Sequence, residues 1–190
     1  NNKEDAHEEP TIKRSRSHDY VSKEVINVRE NVGLIEVANF SKHEFKGPDA
    51  RKFLDHIMAG RLPKPGRISL SPMLSYRGKL CGDLTVACLD ENEFMVFGSG
   101  AAQEMHRRWF ESHLDKFNLS YSNRSDEYHG LSIAGPNSRK VLEKIVRDDV
   151  SNEKFKFRDS RRMFVGGVPA IINRISFTGE LGYEIYVAPH

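Results

Sequence analysis

Short apolar runs of period two alternate along the chain with segments in which apolar residues recur every three or four positions. Leu80 to Leu89 and Glu93 to Phe97 read as strands joined by a turn at Asp90-Glu91-Asn92. Met163 to Val165, Ala170 to Phe177 and Tyr183 to Val187 read as three more. Their connections are Gly166-Gly167-Val168-Pro169 and the glycine-rich Thr178-Gly-Glu-Leu-Gly182. Helical spacing from about Ala101 to Phe117 puts Met105, Trp109, Phe110, Leu114 and Phe117 on one broad face. That pattern is a buried helix face rather than a base-stacking platform.

One strand–helix unit occurs twice. Phe45-Lys-Gly-Pro-Asp-Ala-Arg-Lys-Phe-Leu-Asp-His-Ile57 is echoed 88 residues later by Ile133-Ala-Gly-Pro-Asn-Ser-Arg-Lys-Val-Leu-Glu-Lys-Ile145. In each, a strand ends at glycine, and proline enters the first helical turn, where its missing N–H is no loss. The repeat and the alternation of elements predict an α+β fold: a pseudo-duplicated strand–helix domain with a smaller α+β subdomain inserted. The expected boundaries are a polar arm or linker over residues 1–17, a first subdomain from 18–66 plus 125–190, and the insert over 67–124.

Composition adds limits. With 38% hydrophobic and 29% charged residues, the 190-residue chain has the balance of a soluble protein with a real core, and 29 basic against 27 acidic residues demand no nucleic acid partner. No apolar run is long enough for a membrane span, and the polar start is not a secretory signal, so cytoplasm or an organelle matrix is expected. Cys81 and Cys88 lie seven apart in one strand, an offset that points them to opposite faces and argues against a disulfide. Neither they nor the scattered histidines have metal-ligand spacing. The basic run Lys154-Phe-Lys-Phe-Arg158 reads as a half-buried strand.

Two acids invite chemistry. Aspartate is depleted in strands, yet Asp83 stands inside Leu80-Cys-Gly-Asp-Leu-Thr-Val86. Alternation groups it with Cys81, Thr85 and Ala87, and Leu80, Leu84, Val86 and Cys88 take the packed face. It is either a solvent-facing strand residue or a carboxylate aimed into a cleft. Glu184 raises the same choice: an outward strand glutamate, or an acid beside Tyr186 suited to a planar heterocycle with paired N–H donors.

Val32-Gly-Leu-Ile-Glu-Val-Ala-Asn-Phe-Ser-Lys-His-Glu-Phe45, with Gly47-Pro48 and Phe53-Leu-Asp55, resembles the opening of the folate-binding aminomethyltransferase family, that of the glycine cleavage T-protein. Gly78-Lys-Leu-Cys-Gly-Asp-Leu-Thr-Val86 is similar to its active-site strand, and Thr178-Gly-Glu-Leu-Gly-Tyr-Glu184 to its most specific signature. Met58-Ala-Gly-Arg-Leu-Pro63, Phe40 and Asp83-Leu-Thr-Val86 look closest to the C-terminal folate module of dimethylglycine and sarcosine dehydrogenases, of which this chain resembles only the N-terminal half.

The resemblance implies tetrahydrofolate as cofactor and a methylated amine, or its iminium, as one-carbon donor. FAD would belong to an upstream oxidase domain, and the family's third domain, which closes the folate site, would lie outside this chain. By position, Asp83 becomes the catalytic carboxylate near the reacting folate nitrogen, Glu184 the pterin clamp, and Phe177, Tyr183 and Phe40 further cofactor-binding residues. Gly82 departs from the pattern, since the T-protein carries a second aspartate there. The rival readings are a non-catalytic folate-binding or scaffold protein of the same fold, and a nucleic-acid module built on the basic run.

Overall fold

A computed structural model describes residues 12–188. Ten strands and four α-helices follow one another as α1 (His18–Glu30), β1 (Gly33–Glu36), β2 (Ser41–Lys46), α2 (Ala50–Ile57), β3 (Arg67–Leu74), β4 (Leu80–Asp90), β5 (Glu93–Gly98), α3 (Gln103–Glu111), β6 (Ser120–Asn123), β7 (His129–Ala134), α4 (Ser138–Leu142), β8 (Ser160–Val165), β9 (Val168–Asn173) and β10 (Gly182–Val187). The mixed α+β class is as the sequence predicts. Most of the expected arm lies outside the described residues. Helix α1 was not anticipated, and none of its residues is buried, so no strong amphipathic stripe marks it.

The strands form two antiparallel five-stranded sheets, ordered β8-β9-β10-β7-β1 and β3-β4-β5-β2-β6. The orders correspond strand for strand, which gives the sequence repeat a structural meaning. The unit β2-α2-β3-β4-β5 matches β7-α4-β8-β9-β10. After α2, Met58 bridges to Met73 of β3, and after α4, Val146 bridges to Val165 of β8. The fifth strands are exchanged: β1 precedes the first unit yet pairs with β7 of the second, and β6 precedes the second yet pairs with β2 of the first.

This exchange corrects the expected subdivision, which placed residues 41–57 with the first subdomain. Ser41–Lys46 is hydrogen-bonded between β5 and β6, and Ala50, Phe53, Leu54 and Ile57 of α2 bury against the outer face of that sheet. Four apolar residues at spacings of three and four make one helical stripe, and the sheet supplies the surface that stripe covers.

Three apolar layers hold the fold. One lies between the β3–β6 sheet and α2 and α3, a second between the other sheet and α4, and the third between the two sheets. The middle layer comprises Ile68, Ala87, Met95 and Phe97 from one sheet and Ile171 and Tyr186 from the other. At one edge the sheets are tied by polar bonds. Buried Asp159 is paired with Arg67 and with Arg161, Ile68 N–H donates to Arg158 O at 2.9 Å, and Ser160 N–H donates to Gly66 O at 2.9 Å.

Helix α3 is shorter than predicted, and its inward face is His106 and Phe110, with Met105 half exposed. The bare apolar count hides this histidine, which packs near fully buried His43 with ring centroids 6.3 Å apart. Both cysteines are free. Cys81 packs against the outer core alongside buried Cys88, not on the face of Asp83, because β4 slips register beside Met73–Leu74 and leaves it as the extra residue of a bulge. Leu80 is correspondingly turned out to solvent.

Candidate functional site

Where the middle apolar layer opens, the sheets diverge around a cavity of about 780 Å³. Its floor is apolar: Ile68, Leu70 and Phe97 on one side, and Tyr186 and Ile175 on the other. The residues before β2, Asn39 and Phe40, form part of the wall. Lys42 fixes them from below. Its ammonium is buried and donates to Ala38 O at 2.7 Å, Phe40 O at 2.8 Å and Ser125 O at 3.3 Å. Three acceptors match its three donors, and burial lowers its pKa even with Asp126 acting in the opposite sense.

Glu184 enters from β10 and Asp83 from β4, so the two acids meet one cavity from opposite sheets. Glu184 is only 8% exposed, and burial raises its carboxyl above the ordinary range, with the Tyr186 hydroxyl opposing that rise by donating to Oε2 at 2.9 Å. Tyr186 is itself stacked on Phe97, centroids 4.4 Å apart. A buried carboxyl with one donor partner is short of hydrogen bonds. A ligand bearing N–H groups supplies what water would otherwise give. Asp83 is exposed at the mouth. A Cβ on Gly82 would lie 2.9 Å from His106 Nε2, on the core side of the strand and away from the face of Asp83.

Of the remaining candidates, Phe40 and Phe177 line the cavity, but Tyr183 does not. It is fully buried on the opposite face of β10, stacked on Phe155, and its hydroxyl accepts from Arg139 Nε at 3.1 Å. The reason is the period of a strand: a neighbour of Glu184 faces away from it. Phe177 is 97% exposed on the loop between β9 and β10, not at the end of a strand. Strand pairing stops at Asn173 because the backbone of Arg174 is taken by a turn, donating to Asp159 O and accepting from Arg158 N–H.

That turn is the segment expected to be a strand. Phe155 is buried, Phe157 and Arg158 line the cavity, and Arg158 has a φ of 67°. A left-handed backbone costs an L-residue about 1–2 kcal/mol. The sequence reading missed both cavity residues, as well as Ser69, residues 99–101 and Ser176, while Thr85 lines the cavity on the face of Asp83 on which alternation sets it. Among the described residues no group of three or more His, Cys, Asp or Glu side chains is placed to hold a metal ion. No helix among them is long and apolar enough to cross a membrane.

The family model of the GCVT N-terminal domain matches residues 4–190. The chain belongs to the GCVT N-terminal domain family. Within it, the chain is 34% identical over 186 residues to mitochondrial dimethylglycine dehydrogenase of Mus musculus, covering 96% of this chain and 21% of the relative. It is 32% identical over 162 residues to an aminomethyltransferase of Staphylococcus epidermidis, covering 84% and 44% respectively. The chain therefore spans about a fifth and less than half of these curated relatives' lengths. Among solved structures, the glycine cleavage system aminomethyltransferase T from Bartonella henselae superposes with a TM-score of 0.76 at 23% identity, over 87% of this chain and 44% of that one, a likeness of fold.

Proposed function

We propose that the inter-sheet cavity binds the pterin end of tetrahydrofolate, and that the chain assists transfer of a one-carbon unit to it from a methylated amine of the dimethylglycine or sarcosine type. The observation that carries this reading is the meeting of Asp83 and Glu184, from different sheets, in one cavity walled by aromatic side chains. Membership of the GCVT N-terminal domain family and the names of the relatives point the same way.

The residues fit the group. A volume of about 780 Å³ lies within the range of cofactor sites, roughly 300–1,000 Å³. Phe40, Phe157, Phe177 and Tyr186 offer ring surface, and Glu184 offers a desolvated acceptor. A reduced folate supplies a nucleophilic nitrogen. Glu184 orients it, because a carboxylate accepting two N–H bonds is a directional, charge-assisted clamp. Asp83 takes up the proton lost at the reacting amine and stabilises a neighbouring cation. The apolar floor keeps water from the electrophile. A flavin amine-oxidising domain is the proposed source of the iminium, and a mitochondrial matrix location is the corresponding proposal for a eukaryotic source.

Transfer tests the role of Asp83. The chain alone is expected to be inactive, because the family's third domain closes the site; with that domain, a flavin amine oxidase and dimethylglycine supplied, carbon should be diverted from formaldehyde to methylene-tetrahydrofolate above the spontaneous condensation. Asp83→Asn should leave folate affinity within about twofold and lower this diversion by roughly 10²-fold, the scale of a positioned acid–base group. Wild-type diversion by Asp83→Asn removes Asp83 from the mechanism. Tight folate binding with no diversion by the parent even when the third domain is present supports the alternative, a non-catalytic folate-binding protein.

A further inference from the structure

Three charged side chains line the cavity, and the function proposed above uses two of them. The third, Arg158, is the only lysine, arginine or histidine in its wall among the described residues. It is also the only non-glycine residue with positive φ among the described residues. A long side chain held in a conformation that glycine adopts freely is a feature the surrounding structure has to enforce.

The enforcement is visible. Arg158 N–H donates to Arg174 O at 2.9 Å, its carbonyl accepts from Ile68 N–H at 2.9 Å, and its Nε–H donates to Ile68 O at 3.1 Å. Backbone and guanidinium are thus pinned to the seam where the two sheets join. Nearby arginines already have carboxylate partners, Arg67 and Arg161 sharing Asp159 and Arg162 sharing Glu93 with Lys46. Arg158 has no carboxylate partner among the described residues. A guanidinium committed through Nε alone keeps its terminal N–H groups for a planar anionic acceptor, the geometry in which arginine surpasses lysine.

We propose that Arg158 binds a carboxylate of the molecule that fills this cavity. The inference rests on the folate reading and deepens it: the ligand presents N–H groups to Glu184 and an anion to Arg158. Two participants carry such a carboxylate, the glutamyl end of tetrahydrofolate and the amino-acid donor.

Binding to the full chain distinguishes them, with tetrahydrofolate, a tetrahydropterin lacking the aminobenzoylglutamate, and dimethylglycine as probes. The informative variant is Arg158→Gly, which suits the positive φ and so removes the guanidinium without straining the turn; relief of that backbone offsets the lost Nε–Ile68 O bond, so its melting point should stay close to the parent's. If the folate tail is bound, this variant weakens tetrahydrofolate at least tenfold, leaves tetrahydropterin within about twofold, and abolishes most of the salt dependence of folate affinity. Arg158→Lys then recovers part of the loss. If the donor is bound, only dimethylglycine weakens. Parent-like affinity of Arg158→Gly for all three probes, with the parent binding folate, overturns this proposal and leaves the folate reading standing. A parent chain that binds neither tetrahydrofolate nor tetrahydropterin ends both.

Discussion

Glu184 illustrates how a single residue trades stability for a site. Its carboxyl is raised by burial, so the folded chain favours the proton more than the unfolded chain does. That burial costs nothing below the ordinary carboxylate value and costs progressively more as pH rises through the folded value. Glu184→Gln keeps an acceptor for Tyr186 and removes the charge, so it should raise the thermal midpoint by more near about pH 7 than near about pH 4. An advantage that does not change with pH would mean the carboxyl is not under this strain. Both acids stood out in the sequence as charged residues within alternating strands, but that pattern left open whether they face solvent or a cleft, and only the family resemblance chose between the two. Tyr183 was not placed correctly, although the same alternation sets it on the face opposite Glu184. Arg158 was illegible: its position depends on a turn paired with Arg174, 16 residues away, which no local pattern encodes.

At the level of elements, each copy of the repeat turns from strand to helix at a glycine with positive φ, 137° at Gly47 and 123° at Gly135. A Cβ there would lie 2.8 Å from Leu119 Cα in the first and 2.5 Å from Asn31 O in the second, both backbone atoms. Gly47→Ala or Gly135→Ala should therefore destabilise the chain by about 2 kcal/mol or more in chemical denaturation, and a cost under about 0.5 kcal/mol, the range of ordinary surface substitutions, would contradict the close approach. The histidine packed between β2 and α3 gives a second test. Burial, helped by His106, lowers His43 from 6.5 to about 4. Its stabilising neutrality is complete above pH 6.5 and is lost as pH falls towards about 4, a loss of about 3 kcal/mol. His43→Gln should flatten that acid limb in pH-dependent melts; an unchanged limb would assign acid lability elsewhere. The strands of the β4–β5 hairpin were readable from period two. The bulge at Cys81 and the early end of β9 were not, because each is set by its pairing partner.

For the whole molecule, the repeat was legible but its consequence was not: the strand leading each unit pairs in the sheet of the other, so β1 joins β7–β10 across the 41–123 stretch that builds the whole of the second sheet. Sequence proximity made residues 41–57 look part of the other subdomain, and only long-range pairing decides such membership. Fragment 125–190 lacks β1, the edge partner of β7, and should show no cooperative melt by circular dichroism until fragment 1–124 is added; a cooperative melt of 125–190 alone would contradict the need for that strand. The exchange also matters for function, since it locks together the two sheets that bring Asp83 and Glu184 to one cavity. The most direct test of that cavity as a folate site is the amide NMR spectrum of the labelled chain titrated with tetrahydrofolate. Saturable shifts should appear on both walls, at Leu70, Asp83, Ser176, Phe177 and Glu184, and stay small around His43 and Phe155 in the outer layers. Shifts confined to one sheet or to an outer layer, or none at high ligand concentration, would contradict it.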